Sequence, residues 1–480
     1  MNKTSGAREY THDIALEHVV TGASHADTDM VTIPLALLAA VTACEALDAA
    51  LAAPLSLDED DHITYPDGGW EAYLVVLGSF LGLIATFGTL NSVGAVQAYV
   101  DSNQLALVPT LTVLWIFLIY IALLFLVGVV VGPYFDARGL FQPMVAGTVL
   151  LAIGYMCLAE CTHVWQFVLA FSICLGVGNA LCITPLILVI SHWFLRKRGR
   201  ATLSATIGGL VGGVVIPLML RLLYPKVGFK WAIRILGFFC VGCMVCAIFL
   251  ARARLGPTPP SERKRGHRLA RLGHLGHRLF DYTALKDWRF IFLTLGVWAT
   301  ELALMSAITY LPLYLMSHGM SELELYLLVT IFNATGIAGR IIPGYLSDII
   351  GHYNIMVLTM VGTIVLTFVV WLPFGHLLQG MWAFSAIFGF FSATILSLTP
   401  VCLGVITPTD VFGQRYGLMY FFVSLANLGM IPVGGAIIGK GSHAEYQHFV
   451  EFVGAFAAFG TVCWWATRYF IVGNKLNAKI

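Results

Sequence analysis

Two ionisable residues stand deep inside stretches that are otherwise apolar enough to be buried: Arg340 in "FNATGIAGRIIPGYLSD" and Glu301 in "GVWATELALMSAITYLPLY". A guanidinium stays charged and offers a planar fork that matches a carboxylate. A carboxyl group can be neutral in one state and charged in another, which is what proton coupling requires. Uncharged polar residues stand at comparable places: Asn91, Asn179, Thr184, Asn333 and Thr394. A cation at depth calls for a partner or a water-filled cavity, and the pair suits a site in which a substrate anion and a proton trade places on Arg340 and Glu301. Plainer readings stay open. Arg340 could pin helices together, Glu301 could serve only to neutralise it, and each Asn could be an interhelical hydrogen bond.

Composition sets the elements that must carry these residues. With 58% hydrophobic residues, 11% charged and a mean hydropathy of +0.83, the chain is a membrane protein. Lys plus Arg (27) nearly balances Asp plus Glu (26), which argues against a nucleic-acid partner. The cysteines sit mostly in apolar runs, as Cys240, Cys243 and Cys246 do, and read as small hydrophobes rather than metal ligands or disulfide partners. No Walker A sequence, nucleophile elbow or zinc-ligand spacing is present, so neither an ATP-driven pump nor an enzyme is expected, and no cofactor or metal.

A spanning helix needs about 20 apolar residues, and twelve such runs follow Trp70. They cover 70–99, 110–133, 142–160, 164–190, 201–224 and 230–251, then 289–316, 323–346, 353–375, 380–407, 413–439 and 447–472. The expected organisation is an N-terminal segment (1–65), a six-helix half (66–251), a basic linker (252–288), a second six-helix half (289–472) and a tail (473–480). The apolar stretch 30–55 is interrupted by Glu45 and Asp48 and reads as a surface-lying helix; Leu269, Leu272, Leu275 and Leu279 in the linker suggest another. Lys and Arg crowd the linker, the "RKRGR" loop and the tail, whereas the alternate loops hold only Lys226, Lys230 and Lys440. The positive-inside rule therefore makes both termini cytoplasmic. On that scheme Arg340 lies roughly 12 Å and Glu301 roughly 18 Å from the cytoplasmic side, about one helical turn apart. A cation at such depth costs about 2.5–3.5 kcal/mol unless it meets a partner or a water-filled cavity, so the two are expected to pair.

The second half echoes the first. "GPYFDARG" (132–139) and "GYLSDIIG" (344–351) share G-x-x-x-D-x-x-G, and "RGRATLSATIGGLVGGVVIPLM" is matched by "QRYGLMYFFVSLANLGMIPVGGAII". Two echoes in register in a six-plus-six array resemble the parallel repeats of the major facilitator transporters. Further, "YPDGGWEAYLVVLGSF" and "SHWFLRKRGRATLSATIGG" resemble the two signatures of the monocarboxylate transporter family, and "LYPKVGFKWAIRILGF" resembles its fungal branch; the similarity runs from about Asp67 to about Phe470. This resemblance implies an all-α fold of twelve transmembrane helices in two six-helix halves. It also implies proton-coupled transport of a small organic acid by alternating access, in a monomeric unit resident in the plasma membrane. By the same resemblance Arg340 engages the substrate carboxylate, spans 1, 4, 7 and 10 line the cavity so that Asn91, Asn179 and Asn333 are candidates for fixing the substrate's oxygens, and Asp136 with Arg138, and Asp348, form a cytoplasmic gate. Animal members carry an Asp where this chain has Gly336 and a Lys where it has Asn91. The acid for proton coupling must then be another, and Glu301 is the candidate. Loss of those two charges also fits an exporter of a fungal secondary metabolite or larger organic acid. A non-transporting membrane sensor on the same scaffold is the alternative of another class.

Overall fold

The computed structural model describes residues 65–254, 281–317, 319–320, 322–439 and 441–473. The stretch 30–55, most of the basic linker with Leu269–Leu279, and the tail lysines lie outside these residues. The described chain is helical, with eleven apolar helices long enough to cross a membrane. These are α1 (Trp70–Asn91), α2 (Thr112–Arg138), α3 (Phe141–Leu158), α4 (Val164–His192), the unbroken run Arg198–Leu250, α7 (Trp288–Leu311), α8 (Leu327–Ile350), α9 (His352–Phe374), α10 (Leu378–Val405), α11 (Phe412–Ile438) and α12 (His443–Val472). The long run is two helices. Gly228, at φ 72, breaks the helical path between α5 (198–227) and α6 (229–250), which restores twelve crossings where the sequence places its fifth and sixth.

These helices form because their side chains find an apolar surrounding on every face. In α3, Met144, Leu151 and Tyr155 turn inward, while the equally apolar Val145, Val149 and Ile153 face outward. An outer surface of this kind suits lipid rather than water. Buried hydroxyls are satisfied within their own helices: Thr86, Thr148 and Thr359 each donate to the carbonyl four residues back. Backbone contact draws helices together at selected crossings. A Cβ on Gly212 of α5 would stand 2.4 Å from the Ile84 oxygen of α1, so only glycine fits there.

The "PDGG" entry has a specific conformation. Asp67 adopts φ 48, in the left-handed region, and its Oδ1 accepts from the backbone N–H groups of Leu195, Arg196 and Lys197 at 2.8, 2.9 and 3.2 Å. The first signature thus folds onto the second and fixes the α4–α5 loop against the start of α1. Asp281 holds the corresponding place before α7, bonded to Arg415 of α11 at 2.8 Å. Partial burial pulls the Asp281 carboxyl upward, but the Thr283 and Arg415 donors outweigh it and hold it below the usual carboxylate range. Asp67→Ala leaves three loop amides without their charged acceptor and is expected to lower the unfolding free energy in detergent by about 1.5–3 kcal/mol, with Asp67→Asn milder because Asn also accepts and tolerates positive φ. Thermal melts of the purified variants read this directly, and equal midpoints for wild type and Asp67→Ala would refute it.

Candidate functional site

The repeated octapeptide explains itself once the helices are placed. Its last glycine ends α2 at Gly139 (φ 81) and α8 at Gly351 (φ 114). Its aspartate reaches across to the first turn of a helix from the opposite half. Asp136 accepts from the N–H groups of Gly413 and Gln414 of α11 at 3.1 and 2.8 Å. Asp348 accepts from those of Gly199 and Arg200 of α5 at 3.1 and 3.2 Å, and Arg200 Nε adds an ion pair at 2.8 Å. Each carboxylate sits where the helix dipole and unpaired amides favour negative charge. The approach is as close as backbones allow: a Cβ on Gly132 would fall 1.9 Å from the Gly413 oxygen. The two halves are therefore shut against each other at the end bearing Asp136 and Asp348.

Arg138 does not take part. It is exposed and lies over the Tyr134 ring of its own helix, 5.3 Å from the centroid, and the guanidinium that meets Asp348 is that of Arg200. The "RKRGR" loop carried that signal, because a basic residue directly after Gly199 stands at the first turn of α5. Arg198, beside it, packs 4.2 Å from the Phe412 ring, another contact between the halves.

Further along, α1, α5, α7, α8 and α10 line a cleft made of two cavities of about 20 Å³ each that share Asn91, Ile308 and Phe332, room for one water rather than an organic molecule. One is walled by Ile308, Phe332, Phe384 and Phe388, with Asn91, Asn333 and Ser385 as its polar groups. The other is bordered by Asn91, Leu304, Phe332, Arg340 and Ser392. The sequence thus placed Asn91, Asn333 and Arg340 in one neighbourhood. Asn91 donates to the Gly209 carbonyl at 2.9 Å and Asn333 to the Val329 carbonyl at 3.0 Å, while Asn333 Oδ1 is buried without a partner. Asn179 is elsewhere. Its face of α4 turns to α2, where it donates to the Tyr120 hydroxyl at 2.8 Å. Thr394 likewise bonds Thr359 of α9, at 3.0 Å.

The expected pairing of Arg340 with Glu301 is not made. Arg340, 2% exposed, donates through Nε to the Ala393 carbonyl at 3.2 Å and through Nη1 to the Thr206 carbonyl of α5. Two carbonyl dipoles from α10 and α5 replace the carboxylate, and among the described residues no acid forms an ion pair with it. Glu301, fully buried, accepts instead from the Tyr420 hydroxyl of α11 at 2.8 Å on Oε1, and its Oε2 has no partner. Tyr420 in turn stacks on Phe125 of α2 at 5.0 Å and lies 4.7 Å from Tyr416. Sequence reading missed Tyr420, Tyr416 and the Phe332–Phe384–Phe388 wall, since aromatics in an apolar helix carry no mark of where they point.

The family profile described as Major Facilitator Superfamily matches residues 72–429. The chain belongs to this superfamily. Relatives of this major facilitator chain include the riboflavin transporter MCH5 of Saccharomyces cerevisiae, 39% identical over 87% of this chain and 82% of the relative. The MFS transporter asaE of Aspergillus flavus is 31% identical over 88% and 92%, and the aspyridones efflux protein apdF of Emericella nidulans 32% over 82% and 78%. These are named transporters, not enzymes, and the chain is a multi-pass membrane protein of the same kind. The monocarboxylate family was the finer expectation; among these matches the 39% relative is named for riboflavin instead.

Removing either reciprocal cap should loosen the shut end. Asp136→Ala and Asp348→Ala each withdraw charge-assisted bonds worth about 1.5–3 kcal/mol, so spin labels placed at 138 and 350 should show a longer distance population in each, and most in the double variant. Unchanged distances in all three would show that the caps do not hold this end closed.

Proposed function

We propose that this chain is a proton-coupled secondary transporter whose cargo is a flat, acceptor-rich organic molecule of the flavin class. The observation that carries the reading is the guanidinium of Arg340, which has no acidic partner among the described residues and lines a cavity sharing Asn91, Ile308 and Phe332 with the aromatic-walled one. With Nε and Nη1 each donating to a carbonyl, Nη2 is left for a substrate's carbonyl or anionic oxygen, while Phe332, Phe384 and Phe388 suit a ring system and Asn91 and Asn333 supply polar contacts. The 39% identity to a protein named as a riboflavin transporter supports the same class. The two six-helix halves, 66–251 and 289–472, rock about the cleft, and the reciprocal Asp136 and Asp348 caps form the gate of alternating access. The described basic residues at that end, among them Arg196, Lys197 and Arg252, support its cytoplasmic placement by the positive-inside rule. A small monocarboxylate is the second reading, favoured by the same Arg340. The relative named for aspyridones efflux supports export as the alternative direction.

Proteoliposomes with an acidic exterior should accumulate riboflavin, with lactate and pyruvate failing to compete; uptake of lactate alone would replace the flavin reading with the monocarboxylate one. Arg340→Lys keeps the charge but loses the fork, and transport is expected to fall by about tenfold or more, the equivalent of one charge-assisted contact. Glu301→Gln preserves an acceptor for Tyr420 yet cannot ionise. Its flux should lose the rise on acidifying the outside while substrate-for-substrate exchange continues, and a wild-type response to pH would remove Glu301 from the proton's path.

A further inference from the structure

Tyr416, Tyr420, Ser424 and Asn427 recur at i, i+4, i+8 and i+11 along α11, which places them on one face of the helix. Three of the four are accounted for. Tyr416 packs on Tyr420, Tyr420 donates to Glu301 Oε1, and the Ser424 hydroxyl donates to the Ala122 carbonyl of α2 at 2.8 Å. Asn427 is 3% exposed, and neither its amide nitrogen nor its oxygen has a hydrogen-bond partner among the described residues. One turn beyond it the Tyr310 hydroxyl of α7 donates to the Ile431 carbonyl at 3.0 Å, so the polar run continues away from the shut end. Glu301 Oε2 is orphaned in the same way. A buried amide with both ends unpaired costs several kcal/mol unless water completes its bonds. None of these residues lines either cavity of the substrate cleft.

We propose that Asn427 holds water on a proton route to Glu301 that runs along this face of α11, apart from the substrate cleft. The route rests on the reading of Glu301 as proton carrier. A proton enters from bulk water beyond Tyr310, moves through water oriented by the Asn427 amide and past the Ser424 oxygen, and ends on Glu301 Oε2. Each O–H bond formed along the way is matched by one broken, and Tyr420 keeps its own proton while holding Oε1. The titratable groups that face Glu301 are Tyr420 and Tyr416 of α11. From α2 comes Phe125, behind Tyr420. Arg340 of α8 is committed to carbonyls, and α12 presents Trp464 one residue away, at Thr300. Separate paths for proton and cargo let the carboxyl be reached while the cleft is closed down to water size.

The test reads Glu301 itself and needs no cargo. In liposome-reconstituted protein, the carboxyl infrared band that disappears in Glu301→Gln is followed after a pH jump. Asn427→Leu, of similar bulk but unable to hold water, should slow its protonation on the order of tenfold, less than the hundredfold or more that follows loss of a direct proton donor. Wild-type kinetics in Asn427→Leu would overturn the route. Should that variant fail to insert, Asn427→Thr and Asn427→Val, which share a shape, decide instead: a faster Thr variant supports the route and equal rates refute it. Absence of any Glu301 band that responds to pH would defeat the carrier reading and the route together, whereas a responsive band indifferent to Asn427 strikes the route alone.

Discussion

The arrangement of this protein turns on the amide groups that begin helices α5 and α11. The first turn of any helix leaves N–H groups without intrahelical partners, and at a membrane boundary there is little water to spare for them. Here each set is satisfied by an aspartate from the opposite half, Asp348 for α5 and Asp136 for α11. The requirement could have been met locally by a serine or threonine cap. Because it is met from across the interface, the halves close at this end in one register, and the glycines at Gly132 and Gly413 become obligatory for the approach. The cleft beyond, with its pinched cavities, follows from that closure.

The second constraint is the burial of two ionisable groups, one basic and one acidic, without pairing them. Arg340 rests on the carbonyls of Ala393 and Thr206, and Glu301 on the Tyr420 hydroxyl. An ion pair would have been more stable electrostatically, yet it would fix both groups and leave neither for a ligand or proton. Carbonyl and phenol contacts hold each side chain in place while leaving Nη2 and Oε2 uncommitted. The Thr206 contact also crosses from α8 to α5, so whatever draws Arg340 toward a substrate must loosen a bond between the halves.

Much of this was legible in the sequence, and the boundary is physical. Hydropathy located all twelve crossings because bilayer thickness imposes a minimum apolar length; the fifth and sixth follow each other with Gly228 alone departing from helical geometry between them. The octapeptide repeat marked both aspartates that cap a helix of the opposite half, since glycine and aspartate are rare enough in such helices to stand out. Depth counting placed Arg340 and Asn333 in the cleft. What depth cannot give is azimuth: residue counting sets Glu301 and Arg340 about one turn apart in depth, yet they face different neighbours, and Asn179 is turned away altogether. The aromatic residues gave no signal for the same reason, as a phenylalanine facing lipid and one facing a cleft are the same letter.

The Asp67 fold-over makes α1 a connecting rod. At one end its carboxylate grips the amides of residues 195–197, two positions before the Gly199 that receives Asp348. At the other end stands Asn91, at the border of both cavities. Over 22 residues the rod is roughly 33 Å long. A lean of a few degrees at Asn91 is therefore delivered as a displacement of ångströms at the α4–α5 loop, the scale on which a capped amide either keeps its carboxylate or lets it go.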